Sequence, residues 1–383
     1  MLQATITQRA ALSLLPILAL LATACAPNAK NAAVANVSGS AIVNGTDAKI
    51  EDVSPQGVAE SVVVIVGHQA LRPPQKGFMR STCTGTLIAP QIVLTAAHCV
   101  SGGLTPTDMS VGLHFTRALQ PGEDQKKMNP LASGYAVAAF QINSGYSEAG
   151  LGQQQDDIAL ILLSKPVPAG TRLATLPAAS LDVETLDAVE AIGYGMSDEK
   201  HSTGQDSTGA GILRYTTFAQ GKFGNLTPQA DKKSGFDGMI AAIADSTSVC
   251  HGDSGGPLME VKGSTSTNTV VGINDAVLPH YSGQQQTDYE TVEQNGDLAG
   301  FYKKYPDANI CSGGFNVFVN VASQLNWISS AKAALLAKAG SISTTPVTPA
   351  TPAPPAATPA PTSEPAPTDT TAPNAKTPGH RNH

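Results

Sequence analysis

Charge is scarce in this chain. Only 14% of its 383 residues are Asp, Glu, Lys or Arg, and the net charge is −7. No basic patch is visible, which argues against a nucleic-acid partner. No cluster of residues at metal-ligand spacing is visible either. The sequence therefore predicts no metal and no cofactor, and its acidic loops give only a weak calcium signal. Cysteine is sparse as well: Cys25, Cys83, Cys99, Cys250 and Cys311 are the five. Past Gly340 any apolar period is missing. Residues 341–383 are mostly Pro, Thr and Ala, a composition that cannot bury a core. They are expected to be disordered or polyproline-like.

What is present is glycine, in quantity, and strand-like runs. Ser61-Val62-Val63-Val64-Ile65-Val66 and Val270-Val271-Gly272-Ile273 are rich in β-branched residues and bounded by turn formers, which predicts an all-β body. The length suits one large domain or two joined ones. One stretch stands out: Cys250-His251-Gly252-Asp253-Ser254-Gly255-Gly256-Pro257. The plain reading is a Gly-rich surface turn. The chemical reading starts from the glycines, which let a backbone turn tightly and let a ligand come close. A serine hydroxyl is a poor nucleophile until a base takes its proton and a third group orients that base. Upstream stand Leu94-Thr95-Ala96-Ala97-His98-Cys99 and Asp157-Ile158-Ala159-Leu160. The order His, Asp, Ser differs from those of α/β-hydrolases and subtilisins.

On these three motifs the chain resembles the trypsin/chymotrypsin-like serine endopeptidases, from about Ile42 to about Gly340. The resemblance implies two six-stranded antiparallel β-barrels of the chymotrypsin type with a C-terminal helix. The first barrel would run from about Ile42 to Lys165, and a crossing would follow to about Pro177. It implies Ser254 as nucleophile, His98 as base and Asp157 as orienting acid. Asp157 is preferred to its neighbour Asp156 because the family motif is Asp-Ile-x-Leu; Asp156 is expected at the surface. The N–H groups of Gly252 and Ser254 would form an oxyanion hole. Gly193-Tyr194-Gly195 resembles the family's Gly-Trp-Gly turn. Cys83 would pair with Cys99 and Cys250 with Cys311, stabilising by about 3 and about 4 kcal/mol in the chain-entropy model. Such bonds imply an oxidising compartment.

The same resemblance places the specificity pocket. Ser248, six residues before the nucleophile, would lie at its base and supplies no charge for Arg or Lys. Ile273-Asn274-Asp275-Ala276-Val277 falls where relatives carry Ser-Trp-Gly. In that register Asp275 replaces the serine and Val277 a wall glycine, while Asn316 replaces the other wall glycine. Two filled walls predict a shallow pocket for small, uncharged residues. Asp275 would bring a buried charge close to Asp157, unfavourable unless it is hydrogen-bonded or turned away. Residues 278–310 are longer than usual and are expected to form an extra loop, either an exosite or lid or a decorated surface loop.

The N-terminus reads as processing. Arg9 and the apolar run from Ala10 to Leu21 form an export signal over residues 1–25. It ends in small residues before Cys25. Either Cys25 carries lipid, as in a bacterial lipobox, and tethers the precursor to a membrane, or cleavage near Ala24 or Ala26 frees the chain. Residues 26–41 read as a propeptide or linker. Ile42-Val43-Asn44-Gly45 resembles the family's mature start, whose new α-amino group pairs with the acid before the nucleophile, here Asp253. The protease domain would then be residues 42–340. Ala41 fits the predicted pocket, so self-activation is one route. The other histidines, His68, His114, His201 and His280, are isolated; His251 sits at the mouth of the site. The expectation is a secreted or cell-envelope monomer that cuts protein or peptide substrates. The alternative is a catalytically weak homologue that binds a partner through the same cleft.

Overall fold

The runs rich in Val, Ile and Thr become strands, because branched side chains pack well on a pleated surface. The computed structural model describes residues 42–43, 45–47, 58–70, 78–113, 134–147, 156–196, 211–226, 238–244, 247–278, 281–295, 298–306, 308, 311 and 314–343. Its strands are β1 (Thr46–Asp47), β2 (Val62–Ala70), β3 (Phe78–Ala89), β4 (Ile92–Thr95), β5 (Met109–Leu113), β6 (Tyr135–Ile142) and β7 (Ala159–Leu163). They continue as β8 (Ala188–Gly193), β9 (Arg214–Ala219), β10 (Phe223–Asn225), β11 (Ile240–Ile243), β12 (Pro257–Lys262), β13 (Thr265–Leu278) and β14 (Phe315–Asn320).

Strands β2 to β7 close a barrel in the order β2-β3-β4-β7-β6-β5. Every residue of β7 is buried, as is every residue of β4, so both strands carry apolar side chains that are covered on both faces. The remaining strands form one sheet, ordered β1-β9-β8-β12-β13-β14-β11-β10. The all-β fold of chymotrypsin type is the one expected. Its second half, however, is an eight-stranded sheet rather than a second six-stranded ring. The added edges, β1 and β10, are only two and three residues long, and short edges limit unwanted pairing.

Between β13 and β14 the expected loop holds two helices, α1 (Gln284–Asn295) and α2 (Leu298–Lys304). Their aromatic side chains make a small core of their own. Tyr281, Tyr289 and Phe301 lie with ring centroids 5.2 to 5.5 Å apart. This core continues onto Val43, Met196, Cys250 and Cys311. The insertion is therefore anchored to the body and not merely laid on its surface.

The two ends of the domain are exchanged between halves. Strand β1 pairs with β9, Thr46 opposite Tyr215, so the segment expected to open the barrel joins the second sheet. The closing helix α3 (Leu325–Ser343) packs back onto β6 and β7. Ile328, Ala331 and Leu335, at helical spacing, are fully buried there. This helix ends three residues beyond the expected boundary at Gly340. Among the described residues no helix is long and apolar enough to cross a membrane. The expected signal, Cys25, the linker up to Ala41, His114, His201, His280 and the tail from Thr344 lie outside the described residues.

Candidate active site

Strand β4 delivers the histidine. It ends at Thr95, and the turn that follows carries His98 and is stapled to β3 by the Cys83–Cys99 disulfide. Strand β7 delivers the acid, because Asp157 lies two residues before it. The two strands are antiparallel neighbours with Thr95 opposite Ala159. Side chains 59 positions apart are thus brought together. The His98 N–H donates to Asp157 Oδ1 at 2.8 Å, and ring Nδ1 lies 2.5 Å from Oδ2. Asp157 is buried while the His98 ring stays one-third exposed (33%), open to a substrate. Burial alone would raise the Asp157 pKa. Bonds from the His98 ring, its charge, a contact with Asp275 and the His98 N–H outweigh burial and hold it below the usual carboxylate value.

Asp156, expected at the surface, is only partly exposed. It is half-buried and accepts from Asn143 Nδ2 at 3.3 Å and Gln324 Nε2 at 3.1 Å. Its bonds tie the β6–β7 connection to the segment before α3, away from His98.

The serine loop is held against the same turn. Thr84 N–H donates to Ser254 O at 2.8 Å, and Thr84 Oγ1 donates to Gly252 O at 2.8 Å. A Cβ on Gly255 would strike Thr95 Oγ1 and the Ala96 nitrogen, so the loop lies directly on the residues before His98. Gly252 has φ +97°, and a Cβ there would sit 2.9 Å from the Gly195 Cα. Only glycine meets both demands. Among the described residues the N–H groups of Gly252 and Ser254 donate to no group of the chain, and the Ser254 hydroxyl makes no hydrogen bond to the His98 ring. Such contacts are often long without substrate and tighten in the reacting complex.

Asp253 points the other way, into the body. Its carboxylate accepts from Gly195 N–H at 2.7 Å and Cys250 N–H at 2.8 Å. Burial pushes its pKa up to about 7, against the pull of those two bonds and of the Arg214 charge. Ile42 is fully buried, and Val43 exchanges backbone hydrogen bonds with Ser248 at 2.8 and 3.2 Å. Ile42 has φ +47°, a left-handed conformation that a β-branched residue adopts only under constraint.

Ser248, Val277 and Asn316 meet. Val277 is the register partner of Asn316 across β13 and β14, and Ser248 Oγ lies 2.7 Å from Asn316 Oδ1. Ser248 and Asn316 are both fully buried. The Cys250–Cys311 disulfide is present beside them. His251 is exposed on the serine loop, where its carbonyl accepts from Met196 N–H at 2.7 Å. Asp275 is not turned away: it is buried, and its carboxyl faces Asp157.

Two contributors escaped the sequence reading. Thr84 clamps both Gly252 and Ser254, yet a threonine in a strand carries no signal. Arg214 is fully buried and its charge reaches Asp253. A single cation inside the run Ile212-Leu213-Arg214-Tyr215 was the available hint.

Comparison with known proteins gives one answer. The family model described as Trypsin matches residues 64–294. The chain is similar to chymotrypsin-like elastase family member 3B of Homo sapiens, 30% identical over 222 residues, which span 55% of this chain and 76% of that protein. It is 30% identical to brachyurin of Leptuca pugilator over 46% of this chain and 70% of that one. It is 26% identical to a trypsin of Sarcophaga bullata over 61% of this chain and 77% of that one.

Proposed function

This chain belongs to the trypsin family and is a serine-type endopeptidase, and on that footing we propose that it cleaves proteins or peptides through an acyl-enzyme on Ser254. His98 takes the serine proton as Oγ attacks the scissile carbonyl, then returns it to the leaving amine. Asp157 fixes the imidazole tautomer and stabilises the imidazolium. The 2.5 Å contact between His98 Nδ1 and Asp157 Oδ2, beside the serine loop, is the observation that carries this reading. The unengaged N–H groups of Gly252 and Ser254 are suited to receive the oxyanion. Removing one donor from such a hole costs about 3 kcal/mol of transition-state stabilisation.

Cleavage before Ile42 makes the precursor active. The new ammonium at Ile42 gives Asp253 a charge partner, since a buried carboxylate is costly without one. The left-handed Ile42 backbone is relieved by the same cut. Residues 1–25 export the chain and residues 26–41 are removed, with Cys25 either lipid-bearing or discarded with the signal. In the pocket, Asn316 and Val277 occupy the walls and Ser248 the base, which favours small uncharged residues at the cleavage site.

The test is turnover of a peptide library by the cut chain. Wild type cleaves after small residues and Ser254→Ala cleaves nothing while remaining folded. Retained turnover in Ser254→Ala contradicts the assignment.

A further inference from the structure

Asp275 sits at a break in the sheet. The pairing of β13 with β14 shifts register between Asn274 and Ala276, so Asp275 is the extra residue of a bulge. Bulges re-aim a side chain out of the regular alternation. The bulge is pinned to the serine loop, because Asn274 N–H donates to Gly256 O at 2.8 Å and Gly255 N–H donates to Asn274 O at 2.7 Å. The aspartate that results is 5% exposed. A carboxyl oxygen of Asp275, one of Asp157 and a ring nitrogen of His98 all lie within 4.8 Å of one another.

Taken as an ionised group, Asp275 has no hydrogen-bond donor on either oxygen among the described residues. It would also place a second negative charge against Asp157. Two carboxylates in such contact do not both ionise. The shared proton has two candidate owners. Asp157 already receives two N–H donors from His98. Asp275 receives none, so its charged form is the less stabilised and the proton belongs on it.

We propose that Asp275 is held as a neutral carboxylic acid that donates its proton in a hydrogen bond to Asp157, and so positions the carboxylate that orients His98. This rests on the triad reading above. A proton on Asp275 gives that orphaned carboxyl a partner and removes the like-charge contact in one step. Burial and the Asp157 charge both push the Asp275 pKa well above the usual value, in line with this placement. Among the described residues, the titratable groups facing it are Asp157, before β7, and His98, after β4. Across the bulge β14 presents Val317 and Phe318, which do not titrate.

The arrangement has a consequence that a serine at this place would not have. A hydroxyl donates at any working pH, whereas a carboxylic acid donates only while protonated. The cut enzyme should therefore lose kcat on the alkaline side as Asp275 gives up its proton. Asp275→Ser keeps a donor and lacks that alkaline loss. Asp275→Ala lacks the donor and lowers kcat roughly 10- to 100-fold with little change in KM, the scale of one hydrogen bond to a charged group.

The experiment is the pH profile of kcat for wild type, Asp275→Ser and Asp275→Ala, alongside infrared spectra of the resting proteins at neutral pH. Wild type should show a protonated carboxylic-acid band that Asp275→Ser lacks. Asp253 and Glu190, both with pKa values raised to about 7 by burial, contribute a background common to the two proteins. Near-wild-type kcat in Asp275→Ser, a deep loss in Asp275→Ala and the band difference support the proposal. Wild-type kcat in Asp275→Ala, equal loss in both variants, or no band difference overturns it. Should Asp275→Ala fail to fold, the band difference and the Asp275→Ser profile decide alone. Failure of the triad reading shows up separately, as turnover that survives Ser254→Ala, and leaves the infrared test intact.

Discussion

Asp253 is the residue whose environment the proposed cut changes most. In the uncut chain it is buried with two N–H donors and a pKa raised to about 7. The unfolded value is near 4. A carboxyl with a raised folded pKa stabilises fully below its unfolded pKa and loses that stabilisation as pH rises through its folded pKa. Here the window runs from about pH 4 to about pH 7, and the loss is at most about 4 kcal/mol. Asp253→Asn in an uncut Ser254→Ala chain should start less stable at pH 4, because an amide cannot accept from both Gly195 and Cys250. Its disadvantage should shrink as pH rises to 8. Denaturant midpoints across that range check this, and a gap independent of pH contradicts it. At this scale the candidate residues His98, Asp157 and Ser254 were legible because each sits in a short local motif. Arg214 and Thr84 were not, since their roles depend on which strands become neighbours.

Among the elements, the insertion between β13 and β14 carries the most unexpected structure. Helix α1, Gln284–Asn295, has almost no apolar stripe in its sequence. Its buried face is completed by Tyr281 before it and by Phe301 from α2, so no linear period exists to be read. Polar bonds finish the pair: Asp288 accepts from Gln284 Nε2 at 2.9 Å, from Tyr305 Oη at 2.6 Å and from Lys304 Nζ. Phe301 is the centre of the aromatic group, buried at 2% exposure. Phe301→Ala should cost about 3–5 kcal/mol, measured by chemical unfolding of the full chain. A cost below about 1 kcal/mol would show that the insertion is not anchored as described. The bulge in β13 was equally hidden, since an extra residue in a strand leaves no mark in composition. Its aspartate was visible as a departure from the family pattern, but whether it faced Asp157 was not.

For the molecule as a whole, the exchange of its two ends joins the halves. Val43 and strand β1 dock on the second sheet and α3 docks on the barrel. The helix could be read from the spacing of Ile328, Ala331 and Leu335. The destination of a two-residue strand such as β1 could not, because so short a pairing is fixed only by what Ile42 and Val43 bury. The candidate site draws on both halves, with His98 and Asp157 from one and Ser254 from the other. In the proposed mechanism, turnover depends on the Ser254 hydroxyl coming within reach of the His98 ring, and the proposed cut favours this by giving Asp253 a charge partner. The most direct measurement is fluorophosphonate labelling followed by peptide mapping, on the cut chain and on a chain blocked before Ile42. The account predicts one adduct, on Ser254, formed rapidly in the cut chain, slowly in the blocked chain and at least 100-fold more slowly after His98→Ala. No adduct on Ser254 in the cut chain, or equal labelling without His98, would contradict it.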